Sequence, residues 1–143
     1  MSEKMKAFKR KLAEKKQAQN EAFLKENEAR EAVTVLGCGV QYEVLEEGTG
    51  NVHPSIRDWV TAHYHGTLID GKVFDSSVDR KKTATFKLNN LIQAWQKVVP
   101  LMVVGDKWRL VVPPNMGYGE RQQGKIPSNS ILIFELELIG IGA

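Results

Sequence analysis

The chain has a single cysteine among its 143 residues, so no disulfide can close within it and no thiolate metal site can be assembled. With no base beside it in the sequence, Cys38 reads as a small, partly buried thiol ahead of the first strand rather than as a nucleophile. Apolar runs of 18 residues are absent, which leaves no candidate membrane-spanning helix. The first sixteen residues alternate charges where a secretory signal needs an apolar stretch, so the expectation for the chain as written is a cytoplasmic protein with no membrane partner. A charge excess over the body is missing too. Nine Lys or Arg and six Glu fall within residues 1–31, and the remaining eleven of each sign cancel, which places the whole net charge of +3 at the N-terminal end. The interleaved acids there interrupt any stripe that could track phosphates, so nucleic acid is not an expected partner.

Glycine and proline are absent from Ser2 to Leu36, and that stretch is rich in Ala, Lys, Glu, Gln and Leu, which predicts a charged helical arm over residues 1–36. Pairs such as Glu21 with Lys25 and Glu26 with Arg30 each add about 0.2 to 0.5 kcal/mol. Met5, Phe8 and Leu12 share a face, but Lys15, Lys16 and Gln19 interrupt it before Ala22 and Phe23, so a sustained coiled-coil seam is absent. Two readings stand for the arm: a solvated helix, or one whose apolar spots dock on a partner or a second copy of the chain.

Gly37-Cys38-Gly39 ends that pattern, and the period changes from 3.6 to 2, which opens a second unit over residues 37–143. Val40, Tyr42 and Val44 alternate with Gln41 and Glu43 as one strand. Trp59 to Ile69 is a second, turned by Asp70-Gly71 into a hairpin that returns through Lys72-Val73-Phe74. Further strands are predicted at Thr83–Leu88, Lys107–Val112 and Ile131–Ile139. Between them Asn89 or Asn90 is positioned to cap a short helix with Leu91, Ile92, Trp95 and Val99 on one stripe. The expected fold is α+β: an antiparallel sheet of five to six strands wrapped around that short helix, preceded by the long one. A lone helix on a curved sheet turns its largest apolar residue, here Trp95, toward the concave side.

The segment Gly71-Lys72-Val73-Phe74-Asp75-Ser76-Ser77, with Leu91-Ile92-Gln93-Ala94-Trp95 and Gly117-Tyr118-Gly119, supplies aromatic side chains around one acid. That combination suits a site that encloses an apolar pyrrolidine ring and still steers an amide carbonyl. Taken singly, Phe74, Phe86 and Phe134 read as core residues and Asp75 as a turn residue; their joint occurrence favours a site.

Ala62-His63-Tyr64-His65-Gly66, Asp70 to Ser77, Phe86 with Leu91-Ile92 and Trp95, Met116-Gly117-Tyr118-Gly119, and Ile126-Pro127 before Leu132-Ile133-Phe134 follow one another in an order and spacing that resemble an FKBP-type peptidyl-prolyl cis-trans isomerase. The short gap between Phe86 and Trp95 and the charged helix at the start are similar to the bacterial branch that includes macrophage infectivity potentiators. The resemblance implies an isomerase of proline-containing polypeptides that assists folding, using no cofactor and no metal. The alternative is a binding or chaperone module that holds partners through the same cleft, or through the N-terminal helix, without turnover. It implies Trp95 as pocket floor, Asp75 and Tyr118 as the polar pair that addresses the rotating amide, Tyr64, Phe74, Phe86, Ile92 and Phe134 as walls, and Leu91 and Ile126 at the rim. Rapamycin-like macrolides are candidate ligands of such a pocket. Longer members of the branch form homodimers through several N-terminal helices, and this chain has room for one.

Two departures from the family pattern, and two polar clusters beside it, carry expectations of their own. Ala94 stands where a Gly commonly precedes the Trp and puts a methyl near the pocket floor. Lys125, in the loop with Gln122-Gln123, puts a cation at the rim that favours an acidic residue near the substrate proline. His63 and His65 lie two apart on one strand face, but with Tyr64 toward the pocket they point away from it, and the commoner reading is a surface or hydrogen-bonded pair. Asp79-Arg80-Lys81-Lys82 reads as a solvated turn.

Overall fold

Ser2 starts the first helix: its Oγ accepts from the Met5 amide at 3.1 Å, and Glu3 in the first turn complements the helix dipole. The computed structural model describes residues 2–142. Helix α1 runs Glu3–Glu28, shorter than the expected arm. Residues 29–32 turn, and the β-branched run Val33–Val35 becomes strand β1, because Val and Thr lose side-chain freedom in a helix and gain packing on a pleated surface.

Strands β2 (Gln41–Glu46), β3 (Trp59–Thr67), β4 (Val73–Ser76), β5 (Ala84–Lys87), β6 (Lys107–Val112) and β7 (Leu132–Ile141) follow, with helix α2 (Gln93–Val98) between β5 and β6. All pairings are antiparallel, in the order β1-β2-β6-β7-β3-β4, with β5 also on β3. The seventh strand, one more than expected, is β1, which pairs Val33 with Glu43 and Val35 with Gln41. Asp70-Gly71 makes the expected hairpin turn, with Gly71 at φ +89°, a conformation that costs a side-chain-bearing residue about 1–2 kcal/mol.

Alternation puts Val60, Ala62, Tyr64 and Leu68 of the β3 segment, and Leu132, Phe134, Leu136 and Leu138 of β7, on the concave face. Helix α2 fills that hollow with Ala94, Trp95 and Val98. No side chain caps α2. Its N-cap is Ile92, and Asn89 and Asn90 lie one turn earlier in a 3-10 turn, Leu88–Asn90, so the expected Asn cap is displaced by an extra turn.

Helix α1 is neither wholly solvated nor joined by an apolar seam. Its second half lies across the outer face of the sheet through polar side chains. Asn27 Nδ2 donates to Gln41 Oε1 at 2.6 Å, Gln41 Nε2 donates to the Leu24 carbonyl at 3.0 Å, and Arg109 donates to Asn27 Oδ1 at 3.2 Å. Asn20 Nδ2 reaches the Asn129 carbonyl at 2.9 Å, and Lys16 Nζ the Ser128 carbonyl at 2.6 Å. Toward the N terminus Met5, Phe8 and Leu12 stand about half exposed (48%, 58% and 51%), with Leu12 on the wall of a groove it shares with Leu68, Ile69 and Ile131. Among the described residues no helix is long and apolar enough to cross a membrane.

Candidate functional site

The concave face opens into a cleft of about 340 Å³ at the end of α2. Trp95 is its floor, only 4% exposed, and meets three rings edge to face: Tyr64 at 5.4 Å, Phe134 at 5.4 Å and Phe86 at 6.0 Å between centroids. Phe74 packs edge-on against Phe134 at 5.5 Å. Leu91 and Ile92, in the connection ahead of α2, add aliphatic wall. Edge-to-face contact places the positive rim of one ring against the negative face of another and adds about 0.5–1.5 kcal/mol per pair beyond burial, which makes the lining rigid as well as apolar.

Gly66 is what allows the wall to close. It occupies the inward position of β3 after Tyr64, and a Cβ there would lie 2.6 Å from Phe74 Cζ and 3.1 Å from Phe134 Cε1. Glycine inside a strand pattern signals such a close approach.

On one side of the cleft Asp75 forms a three-membered network. Tyr64 Oη donates to Asp75 Oδ2 at 2.6 Å, Arg80 donates to Asp75 Oδ1, and the second Arg80 nitrogen donates to Tyr64 Oη at 3.1 Å, with the guanidinium 5.8 Å from the Tyr64 ring centroid. Partial burial pushes the Asp75 carboxyl up, but the hydrogen bonds from Tyr64 and Arg80 and the charge of Arg80 outweigh it and hold the group below the ordinary carboxylate range. The Tyr64 phenol is raised, by burial first and by its bond to Asp75 second. Asp75 is therefore a fixed anion and Tyr64 a neutral donor at neutral pH.

Two serines set the anion's position. Between β4 and β5 the pairing with β3 is interrupted opposite Tyr64, and Ser77, fully buried, fills the gap: its Oγ accepts from the Tyr64 amide at 2.7 Å, and its own amide donates to the Tyr64 carbonyl at 2.9 Å. Ser76 Oγ accepts from the Asp79 amide at 3.0 Å and shapes the turn that brings Arg80 back. The expected histidines bond to these same hydroxyls, His63 to Ser77 and His65 to Ser76, both at 2.7 Å, on the outer face.

Of the ten residues expected at the site, nine line the cleft: Tyr64, Phe74, Asp75, Phe86, Leu91, Ile92, Trp95, Tyr118 and Phe134. Ile126 does not. It is 5% exposed and packs into the core, at the end of a tight turn in which it exchanges backbone hydrogen bonds with Gln123. Asp75 bonds to Tyr64 and Arg80, not to Tyr118. Arg80, read from sequence as part of a solvated turn, is a member of the network; the detectable signal was a cation five residues beyond the acid with a turn between them. The Ala94 methyl is fully buried in the core and does not reach the cleft. Lys125 is exposed and away from it, and the lining cation is Arg121, accompanied by Asn90 and Gly117. A larger groove of about 610 Å³ runs between α1 and the β3–β4 turn, but its lining of Lys15, Lys16, Gln19, Asp70, Pro127 and aliphatic residues holds no aromatic ring.

The whole chain is similar to proteins of one family. The sequence model of the family described as FKBP-type peptidyl-prolyl cis-trans isomerase matches residues 50–139, and that of the domain amino terminal to it matches residues 1–44. The chain is 43% identical over 141 residues to the FKBP-type peptidyl-prolyl cis-trans isomerase FkpA of Aeromonas hydrophila, covering 99% of this chain and 52% of that protein. It is 43% identical over 121 residues to the peptidyl-prolyl cis-trans isomerase Mip of Coxiella burnetii, covering 84% and 52%. The crystal structure of FkpA from Escherichia coli superposes with a TM-score of 0.88 at 34% identity, over 96% of this chain and 64% of that one. The chain thus spans about half the length of the curated relatives it matches. It belongs to the FKBP-type peptidyl-prolyl cis-trans isomerases, in the company of the FkpA and macrophage infectivity potentiator proteins.

Proposed function

We propose that the chain catalyses rotation about Xaa-Pro peptide bonds in polypeptides and so assists their folding. The observation that carries this reading is the joint presence of an indole floor, five further aromatic rings and one anion fixed by Tyr64 and Arg80 around a single cleft. The uncatalysed barrier is about 18–20 kcal/mol and comes from loss of amide resonance. Lowering it by roughly 5 to 7 kcal/mol, at 1.36 kcal/mol per tenfold, gives ordinary turnover without a nucleophile, base or metal.

Binding the twisted amide better than the planar one supplies this difference. The planar amide carries more negative charge on its oxygen, so transfer into an apolar, ring-lined cleft costs it more than the twisted form. Trp95 and the phenylalanines hold the pyrrolidine ring. The Tyr118 hydroxyl, free of any side-chain partner among the described residues, is a donor for a ligand carbonyl. Asp75, ionised and held by Tyr64 and Arg80, gives the cleft a fixed polarity that orients the amide being rotated. The test is NMR exchange or protease-coupled turnover on a short Xaa-Pro peptide: Trp95, Asp75 and Tyr118 variants lose activity, and unchanged rates in all three sink the mechanism. Competition by a rapamycin-like macrolide checks that the same cleft binds both.

A holding role is the second reading, and the exposed row Met5, Phe8 and Leu12 favours it. Those side chains suit either a second copy of the chain or an apolar client. Sedimentation and aggregation suppression, each with and without Phe8→Ser and Leu12→Ser, separate the two.

A further inference from the structure

Among the groups lining the cleft, the only carboxylate is already engaged: Asp75 accepts from both Tyr64 and Arg80. The other polar side chains there are of a different kind. Arg121, exposed and with no carboxylate within 4 Å among the described residues, contributes a full positive charge. The Asn90 amide and the Tyr118 hydroxyl, likewise without side-chain partners, offer further donors. Because Arg80 balances Asp75, the uncompensated charge facing a bound peptide is that of Arg121. Its backbone is fixed from within the site: the Arg121 amide donates to the Tyr118 carbonyl at 3.2 Å, so the cation is carried by the same turn that presents the Tyr118 ring.

We infer, on the basis of the isomerase reading above, that Arg121 is a specificity-determining residue that selects prolines flanked by an acidic side chain. A carboxylate next to the proline places an anion within reach of a guanidinium, which binds it through paired N–H donors. The same guanidinium repels a lysine at that place. Since the pair is solvent-exposed, the preference is modest, about two- to fivefold in kcat/KM for Glu over Gln, and it weakens as salt shortens the screening length to about 8 Å at physiological ionic strength. Lys125 contributes nothing comparable, because it does not line the cleft.

The experiment measures kcat/KM by NMR exchange for one short peptide with Glu, Gln or Lys at each of the two positions before and after the proline, in low and in physiological salt, with the full chain. The expected order is Glu over Gln over Lys at one position at least, compressed by salt. In Arg121→Gln the Glu-to-Gln ratio collapses toward one whatever happens to the absolute rates, in Arg121→Lys part of it survives, and in Lys125→Gln it is retained. Equal turnover of the Glu, Gln and Lys peptides, or a preference that persists in Arg121→Gln, overturns the inference and leaves the isomerase reading intact. No turnover of any peptide, the neutral one included, overturns the isomerase reading itself.

Discussion

The two faces of one sheet hold their neighbours by different physics. On the concave face β3 and β7 present Val60, Ala62, Tyr64, Phe134, Leu136 and Leu138 to α2, and the contact is apolar and aromatic throughout. On the outer face the alternate positions present Gln41, Glu43, His63, His65, Arg109 and Glu135 around a small apolar patch of Val111 and Ile133, and α1 meets that face with side-chain amides and with Phe23. The first face is non-directional: it needs volume and shape, and it hollows into a cleft although the buried Trp95 and Trp108 indole nitrogens find no hydrogen-bond partner among the described residues. The second is directional: it needs each amide to find its partner, and it holds a helix whose apolar stripe is too broken to bury.

The largest test of this contrast is Trp95→Ala. Removing the floor costs about 3–5 kcal/mol of stability in chemical denaturation, by lost transfer energy and the cavity left behind, and abolishes detectable peptide turnover. Next comes Asn27→Ala, which leaves the buried Gln41 Oε1 without its donor and costs about 1–3 kcal/mol. Replacing both residues by Leu costs less than Asn27→Ala alone; a double variant worse than either single one would show that the outer face is not governed by amide pairing. Gly66→Ala forces Phe74 out of its contact and costs about 1–3 kcal/mol by overpacking, with a larger loss in peptide affinity than in the melting midpoint.

Asp75→Asn removes the anion but keeps the shape, and turnover falls by about tenfold, equivalent to about 1.4 kcal/mol. The pH dependence follows from the depressed Asp75 carboxyl. A group held below its unfolded value is ionised throughout neutral pH, so the wild-type rate shows no Asp75 step between about pH 5 and 8 and declines only as acid reaches the depressed folded value, below the ordinary 3.9 of aspartate. Arg30→Gln is the smallest change. It breaks the pair with Glu43, 3.0 Å apart but half exposed on the Arg side, and costs less than about 1 kcal/mol.

Much of the concave face was legible because its signals are local. Strict alternation along Leu132 to Leu138, the Asp70-Gly71 turn, and the aromatic run around Asp75 each show within a few residues what they face. The outer face was not, because Asn20, Asn27 and Gln41 carry no hydrophobic period, and their partners lie 109, 14 and 17 residues away. The same limit hid Arg80. Its neighbours Asp79, Lys81 and Lys82 mark a solvated turn, and only the Ser76 and Ser77 bonds that shape the turn direct the guanidinium onto Asp75.

Residue types and periodicity were enough for the helix–sheet architecture and the hairpin, because apolar and aromatic residues declare their preference for burial wherever they stand, and the family resemblance carried by those motifs implied nine of the cleft's side chains. Tertiary structure alone decided which cation meets the anion, which cation lines the cleft, that Ile126 and the Ala94 methyl turn into the core, and where α1 rests. Those outcomes depend on directional contacts between residues far apart in the chain, and a hydrogen bond has no counterpart in local pattern until folding brings donor and acceptor within about 3 Å.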